Sequence, residues 1–245
     1  MSNPRKVVAV VQARMTSKRL PGKTLFPLGN EAEGLTVIDW VMQRVERFTF
    51  VDQAVVLVEN EHAEHPLREH LLSRRHDFLT ILNMKKFDDG SNNMLNAYVD
   101  AIYSTGATDV VRVTGDCPFV SPCLAEQVWF HYKNRNEYTS NVTVPGITGM
   151  QDLDGFDIEI MPAQALIERN KDHHLSEYER HHVTPRLRID AKSWYVPQRY
   201  VHDRKLSLDT MQDYLYLYRI ASAIKIDTEW PEIIRLADQW SWRAR

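Results

Sequence analysis

The chain has 245 residues, of which 43% are hydrophobic and 26% charged, with 30 Lys+Arg against 33 Asp+Glu for a formal charge of -3. This is the composition of a globular protein with a sizeable core, and it excludes long disorder, collagen-like sequence and a disulfide mini-scaffold. The charges nearly balance, so no global field draws the chain onto nucleic acid or an anionic membrane, and any anion site must be a local cluster.

Residues 6–12 form a continuous β-branched run that reads as a buried parallel strand, too short for a signal sequence. A helix begins at Thr36, which caps it, with Asp39 three residues on and Val37, Val41, Val45 and Phe48 on one face. Residues 53–58 read as a second buried strand and residues 66–74 as a helix opened by Pro66. A short third strand over 80–82 precedes a helix over 92–105 that ends at Gly106. A fourth strand spans 109–114, and Pro122 opens the next helix. Strands therefore alternate with helices to about residue 135, the signature of an open parallel sheet. The second half is less regular. Residues 138–144 and 156–160 read as strands flanking a loop with Gly146, Gly149 and Gly155, and helices are expected over 162–170, 176–182, 210–223 and 231–240. One domain spanning 1–245 is expected, with a small embedded subregion, a regular half to about 135 and a less regular half beyond.

No stretch approaches the ~20 apolar residues of a membrane span. Cys117 and Cys123 make neither a disulfide framework nor a metal-type pair, and a cytoplasmic location is expected.

Ligands of open parallel sheets bind beyond the carboxyl ends of the strands. Directly after the first strand, the loop ARMTSKRLPGK carries Arg14, Lys18, Arg19 and Lys23 with a turn at Pro21-Gly22. Arginine forks and lysine point charges there suit a polyphosphate; the competing reading is a solvated basic loop. Gly22-Lys23-Thr24 imitates the end of a P-loop, but the pattern needs glycine where Ser17 stands, and Pro27 and Gly29 follow in place of a helix. After the fourth strand, Asp116 is placed to hold a divalent metal against phosphate, or to serve as a turn aspartate. Asp209 ends the apolar stretch LSLD and could be a second metal carboxylate or a helix cap. The His62, His65 and His70 cluster is interrupted by Pro66 and reads poorly as zinc. His173-His174 and His181-His182 are adjacent pairs whose rings diverge on a helix. Trp230, Trp240 and Trp242 belong to the core or to a dimer-facing surface.

The motifs ARMTSKRLPGKTL, RVTGDCPFVSP, DGFDIEI, EYERHHVTPRLR and LSLDTMQDY, in this order and spacing, resemble the cytidylyltransferase-like family typified by spore-coat polysaccharide biosynthesis proteins and related to CMP-Kdo and CMP-sialate synthetases. The resemblance implies a Rossmann-like nucleotide-diphospho-sugar transferase fold, an α/β architecture with a mostly parallel central sheet and helices on both faces. It implies transfer of CMP from CTP to an acidic sugar or related acceptor, with Mg²⁺ as cofactor, in surface polysaccharide or glycoconjugate biosynthesis. By resemblance, Ala13, Arg14 and Lys23 bind nucleotide and Asp116 and Asp209 bind metal; Arg19, Ser91 and Thr114 are expected at the nucleotide as well. Lys23, Asp116 and Asp209 form the catalytic set, and Asp157, Glu159, Glu179, Arg180 and His182 lie at the acceptor. The resemblance makes the half to about 135 the nucleotide-binding half and the rest the acceptor and dimerisation half, and a homodimer without nucleic-acid or membrane partners is expected. The chain departs from the family pattern at Thr16, where glycine is usual, and at Asn93 and Ala97, where an aspartate and an arginine are usual; this implies an altered acceptor or nucleotide contact. Thr114 stands where the CMP-Kdo enzymes have glutamine, so base selection does not carry over from them. Two other readings fit the same sequence: a glycosyltransferase of similar fold, and a non-catalytic nucleotide-binding or assembly protein.

Overall fold

The computed structural model describes residues 4–59, 65–74, 79–84, 93–141, 154–189, 194–195 and 205–240. Ser91, His62, Gly146, Gly149 and Trp242 lie outside the described residues, as does the side chain of His65.

Strand β1 (Val7–Gln12) is an interior strand of the sheet. It is flanked in parallel by β2 (Gln53–Glu59) and β4 (Asp109–Thr114), and β3 (Leu79–Met84) lies outside β2. With β5 (Thr139–Ser140), β6 (Glu159–Pro162) and β7 (Trp194–Tyr195), the described strands run in the order β3-β2-β1-β4-β6-β5-β7. Strand β6 is antiparallel to both neighbours, so the sheet is mostly parallel with a reversed strand on its second side.

Successive residues of β1 point to opposite faces and both faces are covered, which is why the run is uniformly apolar. Val7, Ala9 and Val11 enter a core shared with α1 (Val37–Val45), α4 (Pro122–Arg135), α8 (Met211–Ala221) and α9 (Trp230–Gln239). Val8 and Val10 enter a second core with α3 (Met94–Thr105) and α5 (Ala163–Asn170). Trp230 is buried in the first core and Trp240 packs against it, with the Arg219 guanidinium 4.8 Å from its ring.

Local chemistry sets the boundaries. Thr36 and Asp39 form a reciprocal capping box at α1. Asp39 also receives His70 of α2 (His65–Ser73) at 2.9 Å and Arg74, just beyond that helix, at 3.0 Å, so His70 is engaged by a carboxylate in the fold. Asn93 caps α3 by accepting from the Asn96 N–H at 3.0 Å, a role in which asparagine equals aspartate. Ala97 is buried in the second core.

The expected strand over 156–160 is displaced to 159–162. The cause is Asn141, whose amide donates to the Phe156 carbonyl and whose oxygen accepts from Ile158 N–H, each at 2.8 Å. A side chain thereby satisfies backbone groups that a strand would have paired. Helix α6 (Glu177–His182) is capped by Ser176 and stops at Val183, and α7 (Pro185–Ile189) follows where the sequence marked no separate helix.

Candidate functional site

The carboxyl ends of β1 and β4 open into a cleft of about 930 Å³. Backbone hydrogen bonds place its walls. The basic loop folds back on itself through Gly22 N–H to the Met15 carbonyl at 2.8 Å, with Gly22 at φ 75°. Only a three-residue turn of 3-10 helix follows (Lys23–Leu25), so the segment does not build a P-loop. Beyond β4, Gly115 lies so close to β1 that a Cβ there would be 2.7 Å from the Gln12 carbonyl oxygen. Leu208 N–H then donates to the Asp116 carbonyl at 2.8 Å, which fastens the LSLD segment beside the β4 loop.

Lys23 is buried where these three segments meet. Its Nζ donates to Asp116 Oδ2 at 2.8 Å, to Asp209 Oδ1 at 3.2 Å and to the Leu208 carbonyl. Asp209 also receives Arg19 at 2.6 Å and Lys205 at 2.9 Å. Burial opposes ionisation of Asp209, but the Lys205 hydrogen bond and the Lys23 charge outweigh it and hold its carboxyl below the usual range. Asp209 is not the cap of α8. Thr210 occupies that position and forms a capping box with Asp213.

The structure brings Ala13, Arg14, Arg19, Lys23, Thr114, Asp116, Asp157, His182 and Asp209 to this cleft. Three expected acceptor residues lie off its lining. Glu159 is fully buried, held by Arg112 at 2.9 Å, Tyr138 at 3.1 Å and Arg188. Glu179 closes the α6 capping box and pairs with Arg186, whose hydrogen bond pulls its carboxyl down to about 2. Arg180 donates to the Asp172 carbonyl at 3.0 Å.

Other residues complete the lining, and of these Asp154 carried too little sequence signal to be singled out. Asp154 opens the motif DGFDIEI, and its carboxylate accepts from Ser207 at 3.2 Å. Burial pushes its pKa up, and the nearby negative charges of Asp116 and Asp209 add to this against Ser207 and Lys205. The Thr16 hydroxyl, at the position where the family pattern has glycine, donates to Glu59 at the end of β2. His181 joins His182 on the α6 side, and both rings are held below their usual pKa, chiefly by burial. Cys117 is buried with its thiol pushed well above the usual range, so it is an inert part of the wall.

A mostly parallel sheet thus presents a cation-rich loop after β1 and Asp116 after β4, with Asp209 brought beside them by the LSLD segment. The fold matches solved nucleotidyltransferases. A cytidylyltransferase from Leptospira borgpetersenii superposes with a TM-score of 0.82 at 24% identity, covering 96% of this chain and 95% of that one. A CMP:2-keto-3-deoxy-manno-octonic acid synthetase complexed with CTP superposes with a TM-score of 0.61 at 14% identity, covering 89% and 99%. The chain belongs to the cytidylyltransferase family, whose model it matches over residues 8–237. The spore coat polysaccharide biosynthesis protein SpsF of Bacillus subtilis is 27% identical over 220 residues, 85% of this chain and 83% of that protein. No helix among the described residues is long and apolar enough to cross a membrane.

Proposed function

We propose that this enzyme transfers CMP from CTP to an acidic sugar or a related acceptor and releases pyrophosphate, in the assembly of a surface polysaccharide or glycoconjugate. The observation that carries the reading is the meeting of Lys23, Asp116 and Asp209 in a cleft floored by the basic loop, in a chain of the cytidylyltransferase family. Arg14, Arg19 and Lys23 neutralise the triphosphate and hold it at the ends of β1 and β4. The acceptor enters from the side of Asp157 and His182, and its oxygen attacks the α-phosphorus as the bond to pyrophosphate breaks. Such a reaction asks the protein mainly for alignment and for fixed charges facing the transferring group.

The donor set fits Mg²⁺: Asp116, Asp209 and the Leu208 carbonyl are all oxygen donors, and they converge on one point where a cation, the Lys23 ammonium, already stands. When bound there, the metal would supply charge neutralisation on the phosphate oxygens and a fixed position for them. The test is pyrophosphate release from CTP, UTP, ATP and GTP against a panel of acidic sugars and phosphonates. Release with CTP and one of these acceptors is expected. Turnover with none of them, or a preference for ATP or GTP, would contradict the proposal.

A further inference from the structure

The lysine between the two aspartates stands where the metal is expected, and it leaves that point no room for a second cation. Lys23 Nζ is within hydrogen-bond reach of Asp116, Asp209 and the Leu208 carbonyl at once. Its side chain is only 7% exposed, so these contacts are not a loose surface pairing. Asp209 is further covered by Arg19 and Lys205, so three cations share one carboxylate. A Mg²⁺ ion binds carboxylate oxygen at ~2.0–2.1 Å and would therefore sit within a few ångströms of the ammonium if both used these oxygens. A dication and a unit charge ~4 Å apart repel by a factor on the order of thirty in binding even in bulk water, and by more in a partly buried cleft.

We propose that Lys23 serves as a stand-in cation, holding Asp116 and Asp209 together in the nucleotide-free protein, and that it leaves them for the triphosphate when nucleotide and divalent ion bind. The inference rests on the reading of Asp116 and Asp209 as the metal carboxylates. It makes nucleotide and metal binding cooperative through one side chain. Metal alone must displace an ammonium that has nowhere better to go. Triphosphate supplies that place, and by linkage the metal favours nucleotide by the same factor. It also keeps two like charges from facing each other bare in the empty cleft, so the loops after β1 and β4 and the LSLD segment stay assembled before substrate arrives.

The test uses Mn²⁺ as the probe, titrated into the nucleotide-free protein and followed by electron paramagnetic resonance. Wild type is expected to bind weakly, and both Lys23→Met and Lys23→Gln at least about tenfold more tightly. Equal or weaker binding in the folded variants would overturn the stand-in role. Adding Asp209→Asn to Lys23→Met is expected to abolish the gain. Persistence of the gain would instead remove Asp209 from the metal site and with it the reading on which the inference rests. On the wild-type chain, a crystal structure with Mn²⁺ and CTP is expected to show metal at both carboxylates and Lys23 Nζ out of their reach. Metal between the aspartates with Lys23 still bonded to both would overturn the proposal even if neither variant folds.

Discussion

Gly115 has a backbone neighbour where other residues have a side chain. A Cβ would meet the Gln12 carbonyl at 2.7 Å and the Ala13 Cβ at 3.1 Å; these are backbone and first side-chain atoms that cannot swing away. Gly115→Ala is expected to destabilise the fold by ~1–3 kcal/mol, as overpacking does, and to shift Asp116 out of line; urea unfolding together with CTP titration checks both. Glu159 makes the opposite argument. Its carboxylate balances Arg112 and Arg188 in the interior, so Glu159→Ala leaves buried positive charge unpaired. A loss of ~3 kcal/mol or more is expected, with acceptor affinity of the folded protein unchanged. A stable variant that has lost acceptor binding would return Glu159 to the acceptor site. Asp209 is free of capping duty because Thr210 performs it. Asp209→Asn is therefore expected to keep its melting temperature within a few degrees while turnover falls by at least about a hundredfold, as when a charge-stabilising group is removed.

Among the elements, α6 carries His181 and His182 into the lining of the cleft. It ends at Val183, a buried β-branched residue at φ 66° and ψ -52°, where Thr184 N–H reaches the His182 carbonyl at 2.7 Å in a γ-turn. Such a conformation costs on the order of 1–3 kcal/mol and persists only where its surroundings fix it; here it turns the chain immediately after the two cleft histidines. Burial lowers both ring pKa values from the ordinary 6.5, with Arg14 adding for His181 and the His181 ring adding for His182. The unfolded chain then binds these protons more readily than the folded one. The stability from the neutral rings is complete above pH 6.5 and is lost as pH falls through the depressed values. Wild type is expected to lose melting temperature as pH falls below 6.5, and His181→Gln/His182→Gln to lose less. Identical profiles would mean that the rings are not held neutral.

Caps and apolar runs made most elements legible: Thr36, Ser176 and Gly106 mark their helices in the sequence as they do in space. The start of β6 was hidden because Asn141, a side chain from another strand region, takes the place of ladder hydrogen bonds. The two-residue strand β7 is too short to show a period, whereas β5 falls within the strand expected over 138–144, of which 142–144 lie outside the described residues. Val183 gives no sequence signal, since a β-branched residue argues against a left-handed turn.

For the whole molecule, the site is made by the sheet. Lys23 is 93 residues from Asp116 and 186 from Asp209 in the chain, and the ends of β1 and β4 bring them together because parallel neighbours open on the same edge. That rule, together with the motif order, made the paired aspartates legible. It could not place Asp154, because the role of an acid in the DGFDIEI turn depends on Gly155 at φ 93° lying against the Leu206 backbone. A ligand that binds only the folded state raises its stability, so CTP with Mg²⁺ is expected to lift the melting temperature more than ATP or GTP.

The central claim, cytidylyl transfer at Lys23, Asp116 and Asp209, is tested most directly by following the phosphorus atoms of CTP. With CTP labelled at the α- or the γ-phosphorus and the acidic-sugar panel as acceptors, α-label is expected in a CMP-linked product. The γ-label is expected in pyrophosphate, and both transfers should be lost in Asp116→Asn and Asp209→Asn. Gamma-label appearing as inorganic phosphate, α-label remaining in unreacted CTP across the panel, or full transfer by either variant would contradict it.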